Sequence, residues 1–282
     1  MGYIPHISLL HAHSVMFLGA AHPSHCATSF LVNIICPHSM RLITALICTC
    51  VASSSAGGEP RFHLQLTDGR MVPNNKWEYE EQKLIFKWLR PQDRVLMMGG
   101  NVGGGCLIAD QLLTNGSHAA CVEPNPALWS TLEANKRSNN AQFRIVKQVV
   151  SNRKTFMKVC DGMSKGTCST TATSASEDGS WQQVDSIDLH VLERQMFHAT
   201  HGFSFLIFDC EGCACSFFSE YPDILARSRA IMLEVDDRLH CNYTQLFQIF
   251  QQANLRPVHE TKPKRLANGG LGISFSVFRR ET

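Results

Sequence analysis

Four short stretches of this chain carry residues that could hold or transform a ligand. The first is Gly99-Gly-Asn-Val-Gly-Gly-Gly105. Glycines permit a tight turn and let the backbone approach a ligand closely. A helix behind such a turn points its free N–H groups, the positive end of its dipole, at that ligand. The second is Glu123-Pro-Asn-Pro126, about twenty residues further on. A carboxylate there can accept both hydroxyls of a ribose, each charge-assisted bond contributing about 1.5–3 kcal/mol. The third is Asp209-Cys-Glu211-Gly212, and the fourth is Glu234 with Asp236 and Asp237 just beyond it. Acids of this kind can orient a polar group or take its proton.

These residues need elements to position them. Arg61 to Val72 alternates around Asp68-Gly69, a hairpin turn signal. Trp77 to Leu89 is amphipathic, with Trp77, Leu84, Ile85, Trp88 and Leu89 on one side, and Pro91 closes it. Arg94 to Met98 reads as an apolar strand running into the glycine turn. A helix from about Gly104 to Thr114 follows, stopped by Asn115-Gly116. Ala119 to Val122 is a second buried strand, ending at Glu123. Asn125 suits the cap and Pro126 the first turn of a helix that reaches about Asn139. Phe143 to Val150 makes one or two short strands, and the Ser/Thr-rich Gly166 to Ser180 reads as a loop. Val184 to Gln195 is a strand end and a helix. Phe203 to Phe208 is an apolar strand ending at Asp209, and Ile231 to Val235 another. Tyr243 to Ala253 is helical, and Ile273 to Phe278 is a last strand. Strands alternating with helices imply a mostly parallel sheet covered on both faces. The acidic and glycine-rich stretches then fall at strand carboxyl ends, where open α/β sheets bind ligands.

The glycine turn discriminates between nucleosides. A dinucleotide fingerprint needs Gly at i, i+2 and i+5, and no register of Gly99 to Gly105 supplies it. The Gly-Lys-Ser/Thr of a P-loop is absent. S-adenosylmethionine remains, because it needs a close backbone turn and a ribose carboxylate but no pyrophosphate cradle. Val95-Leu-Met-Met-Gly-Gly-Asn-Val-Gly103 resembles the first motif of class I methyltransferases, and Glu123-Pro-Asn-Pro126 their second. Phe205-Leu-Ile-Phe-Asp-Cys-Glu-Gly212 and Ile231-Met-Leu-Glu-Val235 resemble signatures of the FkbM-type methyltransferase family.

The resemblance covers about Trp77 to Phe278. It implies an α/β, Rossmann-like, seven-stranded methyltransferase sheet, mostly parallel with the last strand antiparallel, and helices on both faces. It implies S-adenosylmethionine as cofactor and methylation of a hydroxyl on a small molecule or glycan. The expected cofactor-binding residues are Gly99, Gly100, Asn101, Gly103, Glu123, Pro124, Asn125 and Asp209; the expected catalytic residues are Asp209 and Glu211. Three positions depart from the family pattern. Met97 stands where an acid usually helps to hold the methionine amino group, Ile207 where a Lys is usual, and Ala214 where an acid is usual. A methyltransferase and a non-catalytic binding protein of the same fold both remain open. The Asp/Asn-Pro-Pro-aromatic motif of nucleic-acid amino-group methyltransferases is absent after Phe208, where Asp209-Cys-Glu-Gly stands.

Over 282 residues the formal charge is only +2, so bulk electrostatics does not point to nucleic acid. The basic groups Lys262, Lys264, Arg265, Arg279 and Arg280 read as solvated surface. Between Met1 and Pro60 the charged side chains are Arg41 and Glu59 alone. From Met40 the chain has the layout of a secretory signal peptide: Arg41, an apolar core from Leu42 to Val51, and Ser54 and Ala56 before a cut at Gly57. The expected organisation is therefore a leader over 1–56, a hairpin extension over 57–76 and a methyltransferase domain over 77–282. The chain is expected in the secretory route, with no stable transmembrane span once the leader is removed. Asn115-Gly-Ser and Asn242-Tyr-Thr are acceptor sequons that suit this route. Cys160 and Cys168 are the best candidate disulfide pair. Cys210-x-x-Cys213-x-Cys215 lacks a second ligand pair at zinc spacing, so no metal is expected.

Overall fold

The computed structural model describes residues 28–35, 42–49, 62–73, 78–159, 169–172, 180–197, 202–235, 241–263 and 273–281. The chain divides into two compact units, Met1–Gly58 and Glu59–Thr282. In the first, β1 (Thr28–Ile35) pairs antiparallel with β2 (Leu42–Thr49). The expected cut at Gly57, and Cys160 and Cys168, lie outside the described residues.

The second unit opens with a hairpin, β3 (His63–Gln65) and β4 (Met71–Pro73). Gly69 closes its turn at φ 84°, with its N–H donating to the Leu66 carbonyl at 2.9 Å. Next come α1 (Tyr79–Trp88), β5 (Val95–Met98), α2 (Gly104–Leu112), β6 (Ala119–Val122) and α3 (Pro126–Ser138). A run of short strands follows: β7 (Arg144–Val146), β8 (Val149–Val150), β9 (Thr155–Val159), β10 (Ser169–Ala172), β11 (Gln182–Val184) and β12 (Ser186–Ile187). The chain then continues through α4 (Leu189–Phe197), β13 (Phe205–Phe208), α5 (Ala214–Glu220), α6 (Ile224–Arg227) and β14 (Ala230–Val235). It ends with α7 (Tyr243–Gln252), β15 (Leu255–Glu260) and β16 (Ser274–Arg280).

Seven strands form the main sheet in the order β15-β16-β14-β13-β5-β6-β7. β14, β13, β5, β6 and β7 pair in parallel, and β16 runs antiparallel to both β14 and β15. The sheet is therefore the mostly parallel α/β sheet expected, with the chain's last strand antiparallel and inserted one place in from the edge. β15 was not legible in the sequence. Its Pro257 cannot donate to a ladder, and the register shifts between Pro257 and His259. Edge strands tolerate such a residue, but the residue hides them from a pattern search. The expected Ser/Thr-rich loop also contains a strand, β10, whose backbone pairs with β9. Pairing there depends on a neighbouring strand and not on an apolar run.

The pleat sorts the core into two layers. Leu96, Met98, Ala120, Val122, Leu206, Phe208, Ile231 and Leu233 pack with α4, α5, α6 and α7. Val95, Met97, Ala119, Cys121, Phe205, Ile207 and Met232 pack on the opposite face with α1, α2 and α3. Near-continuous apolar runs are what a strand buried on both faces requires. Phe208 packs against Phe217 and Phe218, each at 5.0 Å between ring centroids. Such pairs contribute about 0.5–1.5 kcal/mol each beyond burial, and they anchor the residue just before Asp209.

The hairpin is fastened to α3 by two asparagines one helical turn apart. Asn139 accepts from the His63 N–H at 2.8 Å and donates to its carbonyl at 2.7 Å. Asn135 does the same for Gln65, both bonds at 2.8 Å, and also donates to the Val102 carbonyl at 2.8 Å. Four helical residues rise about 6 Å and two strand residues about 6.6 Å. The i, i+4 amides thus match alternate residues of a strand edge.

Candidate functional site

The strand order reverses at β5, with β6 on one side and β13 on the other. A crevice opens at such a switch point, beyond the strand carboxyl ends. The loop after β5 turns back at once. The N–H groups of Gly99 and Gly100 both donate to the Val122 carbonyl, at 3.1 and 2.8 Å. Gly99 sits at φ 94°, and a Cβ there would collide with the Asp209 backbone carbonyl. This glycine is required because the loops after β5 and β13 touch at that point. Gly103 precedes the first turn of α2, and the Leu107 N–H donates back to it at 2.9 Å.

Glu123 joins the first two motifs. Its two carboxylate oxygens accept from the N–H groups of Asn101 and Asn125, each at 2.8 Å. Burial, at 4% exposure, pushes its carboxyl up to about 7 against the pull of those two bonds. A carboxylate offers about four lone-pair positions, so two remain for a diol. Asn125 caps α3 by accepting from the Ala127 N–H at 3.0 Å, and Pro126 opens the helix, as its sequence position implied. Pro124 is half-buried between them.

The acidic stretch after β13 lies on the other side of the crevice. The Asp209 N–H donates to the Met98 carbonyl at 2.9 Å. Its side chain accepts from a protonated Glu234 at the end of β14. Burial raises both carboxyls, and the Asp209 charge raises Glu234 further, so the pair shares one proton held on Glu234. The parallel register of β13 with β14 places Phe208 beside Leu233, so their next residues meet. Glu211 stands at φ 53° inside a ring closed by the Cys210–Cys213 disulfide. Cys215 is bonded to Cys241, and Cys106 to Cys121. The sulfurs of the Cys210-x-x-Cys213-x-Cys215 motif are thus all taken up in disulfides.

Two further residues join this set that sequence reasoning did not single out. Glu78 precedes α1, and Glu81 lies in its first turn. One carboxylate oxygen each of Glu78, Glu81 and Asp209 lie within 4.8 Å of one another. Asn101 donates from Nδ2 to Glu78 Oε1 at 3.3 Å. Glu81 is fully buried, and neither of its carboxylate oxygens has a hydrogen-bond partner; the same holds for Asn101 Oδ1. Burial, reinforced by the charges of Asp209 and Glu78, holds the Glu81 carboxyl well above the usual range. The signal for Glu81 was present in the sequence. It shares the helical stripe of Leu84, Ile85 and Trp88, at i, i+3, i+4 and i+7, where a charge does not belong.

Backbone strain gathers at the same place. Among the described residues, five non-glycine positions have positive φ. Asn140 and Asn254 follow the ends of α3 and α7, an ordinary use of asparagine. The other three, Glu78, Asn101 and Glu211, all border the crevice. Strained positions of this kind persist where the surroundings force them, and they cluster at ligand sites.

The three positions that depart from the family pattern are buried. Met97 and Ile207 face α1 and α2 from adjacent strands, and Ala214 opens α5 at 2% exposure. The Met97 Sδ lies 3.5 Å from Cys106 Sγ.

No family model matches the chain, and no curated protein matches it. Solved structures similar to it include an rRNA methylase from Streptococcus thermophilus, at 8% identity over 72% of this chain and 96% of that one, TM-score 0.45. A precorrin-6y C5,15-methyltransferase from Geobacter metallireducens matches at 10% identity over 73% and 90%, TM-score 0.42. The M. jannaschii tRNA m1G37 methyltransferase matches at 12% identity over 80% and 59%, TM-score 0.42. No helix among the described residues is long and apolar enough to cross a membrane.

Proposed function

We propose that this protein is an S-adenosylmethionine-dependent methyltransferase of FkbM type that methylates a hydroxyl on a small molecule or glycan. The observation that carries the reading is the Glu123 carboxylate. It is buried, tied to the glycine loop through Asn101, and left with two acceptor positions at the end of the strand beside β5. The residues present fit the cofactor. Glu123 offers a ribose diol two acceptors, the Gly99–Gly103 turn offers close backbone, and Glu81 and Asn101 hold buried oxygens that lack donors.

When bound, the cofactor supplies a methyl group already activated on a sulfonium. The protein's part is alignment and proton removal. Positioning alone can contribute roughly 7–11 kcal/mol, and a base within reach a further factor of about 10²–10⁴. Asp209 orients the ligand and is itself held by Glu234 and by the Met98 carbonyl. Glu211, on the disulfide-closed ring, takes the acceptor's proton. The carboxylates of Glu78, Asp209 and Glu211 at the crevice repel a phosphate backbone, which favours a non-nucleic-acid acceptor. Three disulfides among the described residues suit an oxidising, secretory setting for a chain with a leader over 1–56.

Buried Met97, Ile207 and Ala214 favour a second reading, a cofactor-binding protein without turnover. Calorimetry with S-adenosylmethionine on the full chain, and transfer of a labelled methyl group to hydroxylated acceptors, separate the two. Binding with turnover is expected, with Asp209→Asn and Glu211→Gln lowering turnover more than affinity. Binding without turnover selects the second reading. Preference for a nicotinamide dinucleotide would overturn both.

A further inference from the structure

The crevice contains a cluster of three acids, two of which, Glu78 and Glu81, the ribose and methyl chemistry does not use. Glu81 is a buried carboxylate with no hydrogen-bond donor on either oxygen. Burying such a group costs several kcal/mol unless a positive partner arrives. Its neighbours are acceptors as well. One oxygen each of Glu78 and Asp209 lie within 4.8 Å of one of its own. The buried Asn101 Oδ1 also lacks a donor, and its amide touches Glu78. Three carboxylates converge; Asn101 Nδ2 is directed at Glu78 and Glu234 at Asp209, and neither reaches Glu81. The site therefore calls for a compact cation rich in N–H groups.

A primary ammonium has three donors and one positive charge. Three oxygens each about 2.8 Å from one nitrogen are separated by distances within the observed 4.8 Å limit. The element that bears Glu81 matters too. Position 97 of β5, where the resemblance leads one to expect the acid for the methionine amino group, holds a methionine packed against Cys106 on the helix-covered face. We propose that Glu78, Glu81 and Asp209 form the subsite for the cofactor's α-ammonium group, with Glu81 supplying from helix α1 the acid that strand β5 lacks. The inference rests on the S-adenosylmethionine reading and goes beyond it in assigning the polar end of the ligand to a helix-borne acid.

The test uses two ligands that differ only in the amine, S-adenosylhomocysteine and its desamino analogue, titrated calorimetrically into the full chain. Wild type should bind the amine-bearing ligand at least tenfold more tightly. Glu81→Gln, nearly isosteric, should close that gap by weakening S-adenosylhomocysteine and leaving the desamino analogue within about twofold. If Glu81→Gln does not fold, Glu78→Gln serves as the second variant and should narrow the gap in the same direction. Equal weakening of both ligands, or of neither, would refute the subsite while leaving the cofactor reading intact. Failure of wild type to bind S-adenosylhomocysteine at all would refute the cofactor reading and the subsite with it. Magnesium, calcium and manganese chlorides are titrated alone. Binding of one of them that Glu81→Gln abolishes would make this a metal site and overturn the proposal.

Discussion

Stability should fall as pH rises from about 4.5 to 7, and Glu123 should account for a defined share of the fall. Its carboxyl is at about 7 in the folded protein because of burial, against an ordinary value of 4.5. Between those values the folded state binds a proton that the unfolded state has released. The contribution is therefore fully present below the unfolded value and is lost as pH rises through the folded one. At about 1.4 kcal/mol per pH unit, the gap amounts to about 3 kcal/mol. Burial raises Asp209, Glu234 and Glu81 in the same direction, so they add to the fall. Glu123→Gln cannot titrate. Its amide oxygen can serve one of the two N–H groups now bound at 2.8 Å, and its amide nitrogen faces the other. That mismatch costs about 1–3 kcal/mol at every pH. Urea unfolding of both proteins, disulfides intact, at steps from pH 4.5 to 7.5 gives two curves. The variant should lie about 1–3 kcal/mol below wild type at acid pH, and the two curves should meet or cross by pH 7.5 as wild type loses about 3 kcal/mol. Parallel curves would refute the assignment of a raised carboxyl to Glu123, and a wild-type curve that rises with pH would refute the account of the whole cluster.

Three further outcomes follow from the packing. Gly99→Ala should cost about 3 kcal/mol or more, since overpacking adds to left-handed strain. Gly69→Ala, also at positive φ but with its nearest neighbour 3.9 Å away, should cost only about 1–2 kcal/mol; equal midpoints in chemical denaturation would refute the close approach of Gly99 to Asp209. Asp93 pairs with Arg229, whose Nε donates to it at 2.8 Å, and both side chains are largely buried. Asp93→Ala should cost about 3–5 kcal/mol by leaving the guanidinium unpaired, and adding Arg229→Met should recover part of that loss in the same unfolding assay. Asn135→Ala leaves the Gln65 N–H and carbonyl and the Val102 carbonyl without this partner. It should lower stability by about 2–3 kcal/mol and increase amide hydrogen exchange in β3, which Asn139→Ala should also do.

Local pattern was enough for the skeleton of the fold. The apolar runs Val95–Met98, Ala119–Val122 and Phe205–Phe208 could only be strands buried on both faces, because nothing else hides such runs between helices of alternating polarity. The cap at Asn125, the hairpin turn at Gly69 and the carboxyl-end location of Glu123 and Asp209 were legible for the same reason: each depends on residues within a few positions of itself. The encounters between distant segments were not. That Gly99 must be glycine because Asp209 lies against it, that Glu234 lends its proton to Asp209, and that Asn135 and Asn139 serve as partners for a strand edge all require the sheet to be assembled first. Glu81 lies between these cases. Its place on an apolar helical stripe was written in the spacing, but its lack of a partner was not, since only the closed fold removes water from a carboxylate and shows which neighbours fail to replace it.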